Sequence, residues 1–211
     1  LEPATVGTSN AVTLDGPLFH RTVDAVHFVE NDVRIFGTGS FHDSLRHYPT
    51  DGGTREMTDS YRGATVLITG GASGIGAALA RGLAARGAFV AIADRQIEVA
   101  RAMTADLARI GAGASAHELD VRDQDAARTL IAELWDRHGG IDYVFANAGT
   151  GVGGEALEYT DEDWRYIVDV NLMGVIHLFH AAYPRMAARR TGHLIATASM
   201  AGLIPSPMST V

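Results

Sequence analysis

Several side chains of this sequence could work at one shared site, and the first set is a glycine turn. Residues 69–76 read TGGASGIG. They overlap the end of the apolar run ATVLITG (64–70) and open the helical pattern GIGAALARGLAARG (74–87). Glycines where a strand passes into a helix permit a tight turn and keep Cβ atoms out of the way of a pyrophosphate. The first N–H groups of the helix then face that anion. Gly70, Gly74 and Gly76 carry this reading, with Ser73 and Ile75 between them, and the third glycine also lets helix and strand pack closely. The spacing is GxxxGxG rather than the common GxGxxG, and a glycine turn with no ligand is the alternative.

Asp94 closes the apolar run AFVAIAD (88–94), 20 positions after Gly74 (94 − 74). A carboxylate there can accept hydrogen bonds from the hydroxyls of an adenosine ribose, and it repels a 2′-phosphate. Ser73 brings no positive charge to the turn, whereas Arg95 speaks the other way, because a guanidinium can accommodate that phosphate. Together the pair favours NAD over NADP. Asn147, Ala148 and Gly149 finish the run IDYVFANAG (141–149), and their small size leaves room for a ribose at a strand end. Asn171 is a polar amide inside IVDVNLMGVIHL and must find partners there. Ser199 ends GHLIATAS (192–199), where its hydroxyl could hydrogen-bond a substrate carbonyl or alcohol oxygen. Each also has a plain structural reading: a solvated strand-end acid, an ordinary turn, a satisfied core amide, a strand-end serine.

Other chemistries find little support. Cysteine is absent, and all 17 Lys or Arg positions are Arg. No thiol nucleophile, disulfide or thiolate metal site is available, and no step that needs a lysine ammonium can be completed with these residues. His177 and His180 are three apart on one helical stretch, and His42 and His47 lie nearer the N-terminus. Neither pair has a carboxylate at a recognised motif spacing, so no metal is expected.

The elements that must position these residues follow from hydropathy patterns. Strands are expected at 64–70, 88–94, 115–121, 141–149 and 192–199. Helices are expected at 74–87 with Gly87 as C-cap, 96–110, 124–138, and in one long stretch from about 161 to 189. In the helix at 124–138, Ala127, Leu130, Ile131 and Leu134 mark the apolar face. Thr160 followed by Asp163 forms an approximate capping box. Apolar strands alternating with helices predict an α/β fold, a doubly wound parallel sheet of Rossmann type covered on both faces. Residues 1–56 read as a separate extension, and 57–211 as the dinucleotide-binding domain. Within the extension, AVHFVE (25–30) and VRIFGT (33–38) predict a β-hairpin turning at Asn31-Asp32.

Composition bounds the partners. A formal net charge of −8 argues against nucleic acid or an anionic membrane surface. No apolar run reaches the length of a membrane span, and the first residues lack a signal-peptide pattern, so a cytoplasmic location is expected.

From Tyr61 to Val211 the sequence resembles the short-chain dehydrogenases/reductases. The resemblance rests on an ordered set of motifs: TGGASGIG (69–76), AD (93–94), LDV (119–121), ANAG (146–149), DVNLMG (169–174) and ATASMAG (196–202). It implies a cofactor site at Gly70, Ser73, Gly74, Ile75, Gly76, Asp94 and Arg95. Asp120 and Val121 would flank the adenine, and Asn147, Ala148 and Gly149 would shape the pocket. It further implies Asn171 and Ser199 as catalytic groups, Asn171 helping to hold a water in a proton relay. The activity implied is NAD-dependent interconversion of a secondary alcohol and a ketone by a homo-oligomer, a dimer or tetramer. A non-catalytic dinucleotide-binding or scaffold protein is the alternative.

The family also uses a Tyr-x-x-x-Lys pair, the cation lowering the phenol's pKa from near ~10 so that it can exchange a proton near neutral pH. No such pair occurs here. At the family's usual spacing the tyrosine would directly follow Val211, so the expectation is a dehydrogenase truncated before its last strands and inactive alone. An unpaired sheet edge and apolar helix faces would be exposed in such a chain.

Overall fold

A computed structural model of the chain describes residues 61–151 and 156–199, together with the backbone of two short strands, β1 (Val26–Val29) and β2 (Asp32–Ile35). β1 and β2 pair antiparallel, as the hydropathy pattern predicts. Val29 faces Asp32, so the two connecting positions are 30 and 31. Asp32, expected in the turn with Asn31, itself enters the ladder, while Asn31 lies outside the described residues. His42 and His47 lie outside the described residues.

From Tyr61 onward, strands and helices alternate: β3 (Thr65–Thr69), α1 (Gly74–Ala84), β4 (Phe89–Asp94), α2 (Ile97–Arg109), β5 (Ala114–Glu118), α3 (Gln124–His138), β6 (Tyr143–Ala146), a 3-10 turn (Ala156–Glu158), α4 (Asp161–Val168), a π-turn (Asp169–Met173), α5 (Gly174–Arg189) and β7 (His193–Ala196). The five strands β3 to β7 form one parallel sheet in the order β5-β4-β3-β6-β7. The chain winds outward from β3 in one direction, then returns to the other side of β3 with β6. This is the doubly wound Rossmann-like arrangement, and its order reverses between β3 and β6.

Successive strand residues alternate between two buried clusters. Val66, Ile68, Val90, Ile92, Phe145 and Ile195 pack against α1 and α2. Leu67, Ala91, Ala93, Val144 and Ala146 pack against α3 and α5, where the predicted Ala127, Leu130, Ile131 and Leu134 are all buried. Burying each large side chain contributes about 1.5–3 kcal/mol, and both faces of the sheet take part.

Several boundaries differ from the sequence expectation. α1 stops at Ala84 with Ala85 as its C-cap. Gly87 adopts φ +84° in the turn beyond instead of capping the helix. β5, β6 and β7 all end sooner than expected, at Glu118, Ala146 and Ala196, so the motif residues that follow them lie in loops. The helix expected at 161–189 is divided by the π-turn. Its start is as predicted: Thr160 accepts from the Asp163 N–H, and the Asp163 carboxylate accepts from the Thr160 N–H and hydroxyl. Those bonds from Thr160 hold Asp163 below the usual carboxylate range. Along α4, the π-turn and α5, Trp164, Val168, Leu172, Ile176 and Tyr183 are exposed. Among the described residues, no helix is long and apolar enough to cross a membrane.

Two histidines make this packing sensitive to acid. His117 on β5 pairs through Nε2 with Ser115 Oγ at 2.7 Å, and His138 at the end of α3 packs its ring 4.1 Å from that of Phe89. Burial, followed by the nearby Arg137 cation, lowers both pKa values below the ordinary 6.5. The unfolded chain takes up protons near 6.5, whereas the folded chain resists until lower pH. Their contribution to stability is therefore complete above 6.5 and is lost as pH falls through the folded values. Urea unfolding should show falling stability from pH 7.5 to 5.5, and His117→Gln with His138→Gln should flatten that decline. An unchanged slope in the double variant would remove these two groups as its source.

Candidate cofactor and active site

The strand order reverses between β3 and β6, and at such a switch point doubly wound sheets hold ligands outside the carboxyl ends of the strands. Three polar side chains tie this seam together. Thr69, at the end of β3, donates its hydroxyl to the Phe145 carbonyl at 3.3 Å and accepts from the N–H groups of Asn147 (3.1 Å) and Ala148 (3.2 Å). Asn147 donates through Nδ2 to the carbonyls of Thr69 (3.1 Å) and Gly70 (3.4 Å), and its Oδ1 accepts from Thr197 Oγ1 at 3.0 Å. Thr197 follows β7, so the network joins β3, β6 and β7. Asn147 is thus a clamp across the seam.

The glycine turn lies across this seam. Gly70 adopts φ +60°, and a Cβ there would approach Ala148 Cα to 2.9 Å. Gly76, in the first turn of α1, faces the Gly70 carbonyl and Asn147 Nδ2 so closely that no side chain fits. Gly74 has φ +50° and open space where a Cβ would be. Ser73, Gly74 and Ile75 are exposed, the Ser73 hydroxyl does not cap the helix, and the first turn of α1 contains no acid. The first N–H groups of α1 therefore face solvent without a carboxylate competing for them, an arrangement that suits an anion.

Asp94 ends β4 and is buried. Its Oδ2 accepts from the Ala72 N–H at 3.3 Å and its Oδ1 from the Gln96 N–H at 3.0 Å. The carboxylate thereby fixes the glycine turn against the end of β4, with lone pairs remaining for ribose hydroxyls. Arg95 points elsewhere: its Nη1 donates to Tyr166 Oη on α4 at 2.8 Å. Beyond β5, Asp120 and Arg122 form a two-pronged ion pair with a shortest distance of 2.6 Å. The Arg122 hydrogen bonds hold Asp120 below the usual carboxylate range, against the opposing effect of its burial. The Arg122 guanidinium also lies 5.2 Å from the centre of the Tyr166 ring. Val121 is buried, its carbonyl is 3.0 Å from His177 Nδ1, and a Cβ on Gly174 would come within 2.7 Å of Val121 Cγ2. One nitrogen of the His177–His180 pair is thus placed on the backbone.

Asn171 lies in the π-turn, a helical irregularity that recurs at functional sites. It is exposed rather than buried in a helix interior. Its amide pairs twice with the backbone of Thr150: Oδ1 accepts from the Thr150 N–H and Nδ2 donates to the Thr150 carbonyl, each at 2.8 Å. That pairing anchors the loop after β6 to the α4–α5 unit. One amide hydrogen and one lone pair remain for a water or a substrate. Gly149 sits directly beneath, where a Cβ would lie 3.5 Å from Asn171 Oδ1. Ser199 is exposed, three residues past the end of β7 instead of on the strand.

The structure thus gathers the sequence-derived set at one end of the sheet, on loops that follow β3, β4, β5, β6 and β7, with Asn171 joined to the β6 loop. Thr69, Thr150, Tyr166 and Thr197 also position this set, and no local sequence signal marks them for it. A threonine in an apolar strand reads as a strand former, and a helical tyrosine reads as core.

A family profile described as short chain dehydrogenase matches residues 64–211. The sorbitol dehydrogenase of Cereibacter sphaeroides is 41% identical over 141 residues, which cover 66% of this chain and 54% of that protein. Among solved structures, an NAD+-bound xylitol dehydrogenase has a TM-score of 0.68 at 29% identity, with 71% of this chain and 58% of that one covered. A metagenomic short-chain oxidoreductase in complex with NADP also has a TM-score of 0.68, at 33% identity, with 71% and 68% covered. The chain spans little more than half the length of the curated relatives it matches. Fold, motif order and these likenesses agree that the chain belongs to the short-chain dehydrogenase family.

Proposed function

We propose that this chain provides the dinucleotide-binding part of an oxidoreductase that interconverts a secondary alcohol and a ketone, with NAD preferred to NADP. The observation that carries the reading is the open start of α1 beside a buried Asp94. Exposed Ser73, Gly74 and Ile75 leave room for a pyrophosphate, and the Asp94 carboxylate stands at the strand end where an adenosine ribose would be held. Asp120 and Val121 line the adenine side, and Asn147, Ala148 and Gly149 the nicotinamide side. Bound there, a nicotinamide dinucleotide would supply the hydride-transferring centre. The chain's own residues bind and orient. Ser199 offers a hydroxyl to the substrate oxygen, and Asn171 steadies the loop after β6 and keeps hydrogen-bonding capacity for a water.

Residues 57–211 form the dinucleotide-binding unit in this reading, and 1–56 are an extension to it. The exposed Trp164, Val168, Leu172, Ile176 and Tyr183 support a homo-oligomer. The alcohol substrate is supported by the sorbitol dehydrogenase likeness. A cytoplasmic location is part of the proposal, since no cysteine calls for an oxidising compartment. A protein that binds the dinucleotide without turnover is the second reading.

Calorimetric titration of the chain with NAD and with NADP, beside an alcohol oxidation assay, tests these points. NAD binding at least about tenfold tighter than NADP, equivalent to ~1.4 kcal/mol, is expected from the uncompensated Asp94. Tighter NADP binding would overturn the preference. Turnover would exclude the non-catalytic reading, binding without turnover is the outcome both readings share for this chain, and the absence of any binding would exclude both.

A further inference from the structure

Asp94 and Arg95 are consecutive residues with opposite implications for a 2′-phosphate, and the structure separates them. The Asp94 carboxylate turns to the glycine turn, where it accepts from Ala72 N–H. The Arg95 guanidinium instead crosses to α4 and donates to Tyr166 Oη at 2.8 Å, bridging residues 71 apart in sequence. Among the described residues, no ion pair includes Arg95. The Asp120 carboxylate also attracts the Arg95 cation from beyond ion-pair distance, so the one hydrogen bond given to its guanidinium is that to the neutral Tyr166 hydroxyl.

That hydroxyl is itself held firmly. Tyr166 is partly buried and packs against the cluster beneath α3 and α5. Its ring also faces the Arg122 guanidinium, which the two-pronged pair with Asp120 fixes in turn. Asp120, Arg122 and Tyr166 thus form a bracket, and Arg95, which Tyr166 joins to it, is the residue that adjoins the proposed ribose-binding acid in sequence.

We propose that Tyr166 is a specificity-determining positioning residue: by holding Arg95 against α4, it keeps that cation from offsetting Asp94 toward a 2′-phosphate. The proposal rests on the dinucleotide reading above. It assigns the NAD preference to a pair of sites, the acid that repels the phosphate and the phenol that restrains the adjoining cation. Without the phenol hydroxyl, the flexible Arg95 side chain is free to turn back toward the 2′ position, where phosphate is a stronger partner than a neutral hydroxyl.

The test is calorimetric titration of the full chain and its Tyr166→Phe variant with NAD and with NADP, with thermal melting to verify the fold. Tyr166→Phe should leave NAD affinity within about twofold and tighten NADP by about three- to tenfold. Adding Arg95→Gln to Tyr166→Phe should cancel the gain. A purely structural role would weaken both dinucleotides alike, so an unchanged affinity ratio overturns the proposal. A gain that survives Arg95→Gln also overturns it, because the cation would not be its source. If the parent chain binds neither dinucleotide, the cofactor reading itself fails, a result distinct from an unmoved ratio.

Discussion

Gly76→Ala should abolish dinucleotide binding and destabilise the fold by about 2–4 kcal/mol. An added Cβ would run into the Gly70 carbonyl oxygen and lie 2.7 Å from Asn147 Nδ2 and 2.9 Å from the Gly70 carbonyl carbon. Two of these are backbone atoms, and Asn147 is fixed by the seam network, so no rotamer change relieves the clash. The start of α1 has to move away from the end of β3, and that displaces the N–H groups that would face a pyrophosphate. Gly82 on the same helix is the natural control. Its nearest neighbour to an added Cβ is the flexible tip of Arg86 at 3.4 Å. There alanine should gain about 0.5–1 kcal/mol through helix propensity. Urea unfolding and NAD titration of both variants would check the contrast. Equal stability of Gly76→Ala and the parent would show that the turn yields more readily than the structure indicates.

Thr69→Val should cost about 2–4 kcal/mol although it preserves shape. The Thr69 hydroxyl receives two N–H groups, from Asn147 and Ala148, and is almost fully buried at 1% exposure. Valine leaves both donors facing a methyl group, and an unmet buried donor costs about 1–3 kcal/mol. Thr69→Ser keeps the hydroxyl and loses one methyl, a change of about 1 kcal/mol. Faster hydrogen exchange at the Asn147 and Ala148 amides in the valine variant alone would locate the effect. A serine variant as unstable as the valine variant would instead assign the role of Thr69 to its methyl group.

The parts of this fold that could be read in the sequence are those that local chemistry determines. Val66, Leu67 and Ile68 are apolar without alternation because both faces of β3 are covered, so the run alone implies a parallel sheet. Thr160 and Asp163 lie within one helical turn of each other, and their capping box formed as expected. The strand ends were harder. Leu119 and Val121 are apolar and buried, and so read as strand, yet the β5 ladder stops at Glu118. Their burial comes from the α3 and α5 side, which no local pattern reveals. Asn171 illustrates the same limit for the site. Its residue type suggested function, but its partner, Thr150, lies 21 residues away on a different element. Tyr166 and Arg95 are 71 apart, and only the fold brings them together.

The seam between β3 and β6 also bears on how the molecule assembles. Val66 pairs with Tyr143, so joining the two halves of the sheet closes a loop of 77 residues (143 − 66). The chain entropy lost in that closure is about 4 kcal/mol beyond the fixed cost of any loop. β3, β4 and β5 pair through shorter crossovers, and β6 and β7 likewise, so each half can gather before the two meet. The proposed ligand site belongs to neither half. It comes into being only when the more distant pairing, β3 with β6, is made, and a ligand that spanned it would act as a staple across that joint, stabilising the joined state by mass action.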